Sequence, residues 1–409
     1  MKIKTLIPLL ALLVPVLKAE TLVVLSGNSI QEKIDAASDG DIIAIFGGTY
    51  NQNITVNKKI RLVELAGQDV YITGSVTFTD LEETPPFQGF RVAGINIRGT
   101  KGLVIKDVDC DGGLTLWGNG VPDVSVVGGS QGSITQRAGS LVTNSTTTTG
   151  SFTAESGAVK TIAFRTTVKG IFICGGDDAK TWFGYGEVAA FRLGGSNSKL
   201  VLVGSKLARS SPGVLLTITG SNHRVTISNS SFDSPQWNIS AEGGNHNINI
   251  LNNLFKKTSG TSDIPCIIVH NVDVLKVSGN IFNSAYGGLI QAGFGGDFFG
   301  NHSYGDGRMK GSIVASTPLT TGDPLFVDGD YYNLGEGSPC INKGPADPRF
   351  NDLDGSRNDI GPSGGSWYDP EGWTTENPVV ISFDLSPDQV LGGVNDEVEI
   401  SEIQAISAP

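Results

Sequence analysis

The chain has 409 residues, 55 of them glycine and 18 proline, with 39% hydrophobic and 17% charged, which excludes a disordered chain and leaves enough apolar mass for a sizeable core. Its formal net charge of −12 argues against nucleic acid as a partner. The four cysteines (Cys110, Cys174, Cys266, Cys340) lack the short CxxC spacing of a metal site. Three disulfide pairings are open to them, but unpaired cysteine is among the most buried residue types, and they read first as small core residues.

Residues 1–19 read as an export signal: Lys2 and Lys4, the apolar run "LIPLLALLVPVL", then Ala19 at a cleavage point. The run is shorter than the roughly 20 residues of a membrane span, contains Pro8 and Pro15, and has no second copy. The expectation is a protein that is secreted or at the cell surface, with no membrane span. Next, "SIQEKIDAASDGD" pairs Ser29 with Glu32 in a capping box and sets Ile30, Ile34 and Ala37 on one stripe before Gly40, so it predicts a short amphipathic helix. The strand-like runs "DIIAIFGGTY" and "ITVNKKIRLVEL" follow at once.

"DVDCDGG", Asp107 to Gly113, opens like a calcium loop, but the twelfth position, where glutamate is needed, is Gly118. As a strand it would point Asp107, Asp109 and Asp111 one way and Val108 and Cys110 the other, and a cation would then relieve the crowded carboxylates. "LVTNSTTTTGSFT" is threonine-rich, yet the run is not repeated at a coil spacing. From Lys160 to Arg224 the charge reverses, with nine basic residues against three acidic. The pairs Arg165/Arg192, Lys180/Lys206 and Lys199/Arg224 recur at a nearly constant spacing.

That spacing matters because the chain repeats itself at it. "VTISNSSF" ends at Phe232, "INILNNLF" at Phe255 and "LKVSGNIF" at Phe282, and an earlier "LVLVGSKL" ends at Leu207, an interval of roughly 25 residues each time. Apolar and polar residues alternate (Val225 and Ile227, Ile248 and Ile250, Leu275 and Val277), an Asn or Gly pair suits a left-handed bend, and a phenylalanine turns back inward. A coil of about 25 residues with short strands and polar corners is a parallel β-solenoid, whereas a propeller blade needs about 40. The predicted helix would then cover the open first coil. His223 and His246 occupy the same corner of successive coils and read as a hydrogen-bonding ladder, with no third ligand at the matching place.

With these coils and "IQEKIDAASDGDIIAIFGGTYNQNITVNKKIRLV", residues 22–310 resemble the right-handed parallel β-helix of the pectate-lyase-like superfamily. Gly322 to Gly365, with "DPLFVDGDYYNLGEGSPCINKG" and "DLDGSRNDIGPSGG", resembles the choice-of-anchor Q segment that closes bacterial β-helices; the "NDLDGSRND" stretch within it reads as a structural acidic turn. The superfamily's lyases cleave uronate glycans by β-elimination, in which calcium or a basic side chain neutralises the carboxylate and Arg or Lys takes the adjacent proton. On that footing Arg192, Lys206 and Arg209 are candidates for base and carboxylate neutralisation. Asp177, Asp178 and Glu187 are candidates to hold Ca2+, and Lys180, Trp182, Tyr185 and Arg224 candidates to bind the sugar. The extended motifs of the pectate and alginate lyases are absent, and "GGDDAK" lacks the Gly-His-Gly and Arg-Ile-Lys partners of the polygalacturonases.

From Gly311 onward there are 17 acidic and three basic residues. The expected layout is a signal over 1–19, an all-β right-handed parallel β-helix with a short N-terminal capping helix over 20–310, an irregular choice-of-anchor Q-like closing region over 311–375, and an acidic strand pair or tail over 376–409. Two functions fit this reading. One is an enzyme on an anionic extracellular polysaccharide, a lyase first and a glycoside hydrolase second. The other is a non-catalytic, adhesive solenoid that binds glycans. A monomer is expected.

Overall fold

The computed structural model describes residues 19–365, apart from 66–68, 119–121, 156, 158, 212, 258–263, 285–287, 294, 306 and 328–329, together with the strands Val379–Ser386 and Glu399–Ile406. Apart from Ala19, the expected export signal lies outside the described residues. The chain winds as a right-handed parallel β-helix, the hand that crossovers between parallel strands adopt. From Lys199 onward each complete coil contributes one strand to each of three faces. Face one is a 12-stranded sheet that includes Lys199–Val203, Arg224–Ser228, Asn247–Leu251 and Val274–Ser278. Face two carries Lys206–Ala208, Ser231–Asp233, Leu254–Lys257 and Ile281–Ser284, and face three carries Leu216–Ile218, Ile239–Ala241, Ile267–Val269 and Ile290–Ala292.

The repeat read from the sequence is the observed register. Leu207 pairs with Phe232, Phe232 with Phe255, and Phe255 with Phe282. The rings stack inside the coil at centroid distances of 5.0 and 5.1 Å. Phe152, Phe172 and Phe191 form a second stack at 4.3 and 4.7 Å. Burying an aromatic ring in each coil of these two stacks supplies much of the hydrophobic drive along the axis.

Between faces one and two the backbone turns at a left-handed residue in coil after coil: Arg165, Tyr185, Asn229 and Asn252 all have φ between 47° and 53°. The residue after it is buried, and from Ser205 onward these side chains form a continuous ladder. The backbone amide of Ser205 donates to Ser230 Oγ (3.1 Å), that of Ser230 to Asn253 Oδ1 (3.0 Å), that of Asn253 to Asn280 Oδ1 (2.9 Å) and that of Asn280 to Asn301 Oδ1 (2.9 Å). The bend would otherwise strand amides in the core.

Where faces two and three meet, the earlier coils run through in one strand, as in Arg91–Arg98, Asp109–Leu116 and Thr167–Cys174. The bend there needs glycine: a Cβ on Gly150 or Gly170 would lie 2.5 Å from the carbonyl oxygen of Gly132 or Gly150 on the coil before. From Arg209 onward this bend is replaced by longer connections.

The helix Ile30–Ala36 caps the first coil, with Ser29 Oγ accepting from the Glu32 amide and with Ile30, Ile34 and Ala37 buried. At the other end the parallel register passes residue 310 and continues to Thr320–Thr321, paired with His302–Ser303. The segment after it folds back over face two, where Cys340 and Ile360 bury the outward-facing Leu254 and Ile281. Asn252 Nδ2 donates to Asn358 Oδ1 (2.9 Å), and Asn229 Nδ2 to the carbonyls of Pro362 and Gly364 (2.8 and 2.7 Å). The acidic turn closes on itself, with Asp359 accepting from the Asn342 amide and Asp354 from that of Ser356. The strands Val379–Ser386 and Glu399–Ile406 pair antiparallel.

All four cysteines are buried and free, and burial pushes the Cys174 thiol up to about 12. Ellman's reagent is expected to find no reactive thiol in the native protein and four after unfolding; fewer on unfolding would indicate a disulfide. Asn280→Ala orphans groups on both neighbouring coils and is expected to cost about 3 kcal/mol. Outward-facing Asn249→Ala should stay within about 0.5 kcal/mol. Equal urea midpoints for the two variants would show that the ladder carries no special weight.

Candidate functional site

The two aligned histidines are interior. His223 and His246 are fully buried, and their rings stack at 5.0 Å with 8° between planes. Nδ1 of His223 accepts the Ser198 amide (3.2 Å) and Nδ1 of His246 accepts the His223 amide (3.3 Å). His223 Nε2 lies 2.8 Å from the Thr219 carbonyl, so the neutral Nε2–H tautomer satisfies both contacts. This is a corner ladder in the sense the sequence implied.

The basic stretch sorts onto three faces. On face one Lys160 pairs with Lys180, Lys180 with Lys199, and Lys199 with Arg224. All four occupy the outward position, in four successive coils. At the inter-strand spacing of about 4.8 Å, each neighbouring pair of like charges repels by about 1 kcal/mol even at the dielectric of water. Of the sequence-read pairs, Lys199/Arg224 is a true neighbour. Lys180/Lys206 and Arg165/Arg192 are not, because the coils from Lys160 to Lys180 and from Lys180 to Lys199 are both shorter than the next one, and a fixed spacing overshoots them.

The remaining candidates stand elsewhere. Lys206 lies on face two beside Glu187 and Ser231, and Arg192 on face three beside Ile173 and Thr217. Arg209 opens the connection into Leu216, with its guanidinium folded over Gly213 and bonded to Ser211 Oγ (3.1 Å). Arg192 and Arg209 thus border the same rim on adjacent coils, whereas Lys206, Lys180 and Arg224 do not join them. Asp177 and Asp178 sit in the corner leading into face one, where Asp178 takes φ 56°, and Glu187 begins the next face-two strand. The full width of face one lies between them, and among the described residues no group of three His, Cys, Asp or Glu is placed to hold a metal.

Two of the three aspartates of "DVDCDGG" find protein partners, while Asp107 (φ 51°) sits at the corner before the strand Asp109–Leu116 and not in the row expected of it. Arg91 meets Asp111 in an ion pair of 3.1 Å, Tyr71 Oη donates to Asp111 at 3.1 Å, and Asp109 Oδ1 accepts the Ser130 amide. Val108 and Cys110 point inward as the strand reading required.

Trp182 and Tyr185 offer no open ring. Trp182 stands on the outward side of face one, in register with Ile162 and Val201, and packs with Ile162, Phe164, Tyr185 and Val203 in an external apolar cluster. Trp182 is only 6% exposed, Tyr185 5% and Phe164 1%. An outward patch buried this deeply must be covered, and Val379–Ser386 runs within 8 Å of Lys180–Gly184, Cα to Cα.

Two features escaped the sequence reading. Arg98 and Arg137 flank the half-buried Trp117 at 5.2 and 4.6 Å, and Trp117 Nε1 donates to Asn96 Oδ1 (3.1 Å). On face three Thr55, Thr77, Asn96, Thr115, Thr135 and Thr153 stack in one outward row. The signal for that row was the triplets "ITV", "VTF", "LTL", "ITQ" and "FTA", not the conspicuous "TTTT" run.

No protein-family model and no curated protein matches this chain. Two solved structures share a general likeness to it. One is the siphovirus 9NA tailspike receptor-binding domain, 11% identical over 76% of this chain and 78% of that one, with a TM-score of 0.36. The other is pectate lyase Pel9A, 14% identical over 84% and 96%, with a TM-score of 0.26. The fold rests on the strand register above, independently of either.

Burial holds both His223 and His302 below their ordinary value near 6.5. The unfolded chain takes up these protons as pH falls through about 6.5, and the folded chain only at lower pH. Stability is therefore full above that value and declines as pH drops below it. The urea midpoint is expected to fall between pH 6.5 and 5, and a flat profile there would contradict the neutral ladder.

Proposed function

We propose that this chain is a non-catalytic β-helix that binds an anionic polysaccharide along face one. The observation that carries this is the in-register row Lys160, Lys180, Lys199 and Arg224: four cations at one outward position in successive coils match the repeat of an anionic polymer. A solenoid offers such a polymer one cation per rise of the helix. Export over 1–19 would bring the protein to an extracellular glycan as a monomer, with residues 322–365 as a choice-of-anchor Q-like closure.

Binding is preferred to β-elimination on geometric grounds. Elimination requires the base and the carboxylate-neutralising cation at one sugar. Arg192 and Lys206 face different ways, and Arg209 is turned back onto its own loop. Calcium at Asp177, Asp178 and Glu187 has no part in this reading.

The test is calorimetric titration with polyuronates, glycosaminoglycans and a neutral dextran. Binding is expected for the anionic chains alone, weakening roughly 50-fold between 50 and 200 mM salt if about four charges are neutralised, by analogy with single-stranded polyanions. Lys180→Glu with Lys199→Glu should abolish it while the far-UV circular dichroism stays that of the native β-helix. Equal affinity for dextran, or a rise at 235 nm from unsaturated uronate product, would overturn the reading.

A further inference from the structure

Three observations converge on the C-terminal arm. First, the outward patch of Ile162, Phe164, Trp182, Tyr185 and Val203 is nearly fully buried, and Val379–Ser386 runs alongside it. Second, the closing segment delivers the chain there. The Gly361 amide donates to the Gly279 carbonyl (2.7 Å), and Pro362 and Gly364 then accept from Asn229, so the backbone is moving toward earlier coils. The coils of Val203 and Trp182 come next along that path. Third, residues 366–409 contain nine acidic residues and no basic one, and the patch adjoins the basic row on the same strands.

A two-stranded hairpin is marginal by itself in water and needs an apolar surface. Within Val379–Ser386, Ile381, Phe383 and Leu385 alternate with Ser382, Asp384 and Ser386, the pattern of a strand with one apolar face. A strand pair carrying Asp384, Glu399 and Glu402, one strand of which runs near Lys180–Gly184, is also the electrostatic counterpart of an anionic glycan.

We propose that the acidic C-terminal arm docks across this patch and competes with an anionic glycan for the neighbouring bases, acting as an internal stand-in for the ligand. This rests on the reading of the basic row given above. Displacement would expose the patch and the row together, so glycan binding and arm release are one exchange.

The experiment uses the full chain and a variant carrying Asp384→Asn, Glu399→Gln and Glu402→Gln, titrated with a polyuronate, with hydrogen exchange followed over residues 379–386 and 399–406. The variant is expected to bind about tenfold more tightly, and saturating polyuronate to speed exchange in both strands of the native chain. Unchanged affinity in the variant, or unchanged exchange at saturation, would overturn the proposal. If the native chain binds no polyanion but the variant does, the arm is a complete block and the proposal stands. If neither binds, the reading of the basic row falls and the competition falls with it. A variant of the row alone, Lys180→Gln, separates the two: it should weaken polyuronate binding even when the arm is neutralised.

Discussion

The buried ladder behind each left-handed corner is the constraint on which the molecule depends. A solenoid coil must turn through its own core, and a turn carries amides that no strand can satisfy. Here Ser230, Asn253, Asn280 and Asn301 supply the missing acceptors from one coil to the next. Because each link is to the neighbouring coil, the ladder fixes the register as well as the turn. Everything displayed outside, from the basic row to the external aromatic patch, inherits its alignment from that interior line.

The same logic explains what the sequence made legible. The inward positions follow strict chemistry, an apolar residue, a corner amide, a phenylalanine, so Phe232, Phe255 and Phe282 could be aligned from the sequence and prove to stack. His223 and His246 could be aligned for the same reason. Outward positions carry no such code, and their phase depends on how long each connection is. The coil from Lys180 to Lys199 is markedly shorter than the one from Lys199 to Arg224, and that difference moved Lys206 onto another face than the one a constant period implied.

Trp182 and Tyr185 illustrate a second limit. Aromatic side chains beside lysines on an outer strand have the look of a sugar platform, and only tertiary structure reveals that they are covered. The cue was present far away in sequence, in the alternation of Val379–Ser386, but nothing local connects that strand to Lys180–Gly184. Asp111 teaches the reverse: a carboxylate that suggested a cation had a guanidinium waiting one coil upstream, at Arg91.

The variable connections have one more consequence. Axial rise is set by the strands, while the length of chain between faces two and three is free, as the step from the glycine bend at Gly150 and Gly170 to the loop opening at Arg209 demonstrates. Insertions on that rim therefore alter what the protein presents there and leave the spacing of charges on face one untouched. The molecule is in effect a ruler with an editable margin, able to diversify one edge while its graduations stay fixed.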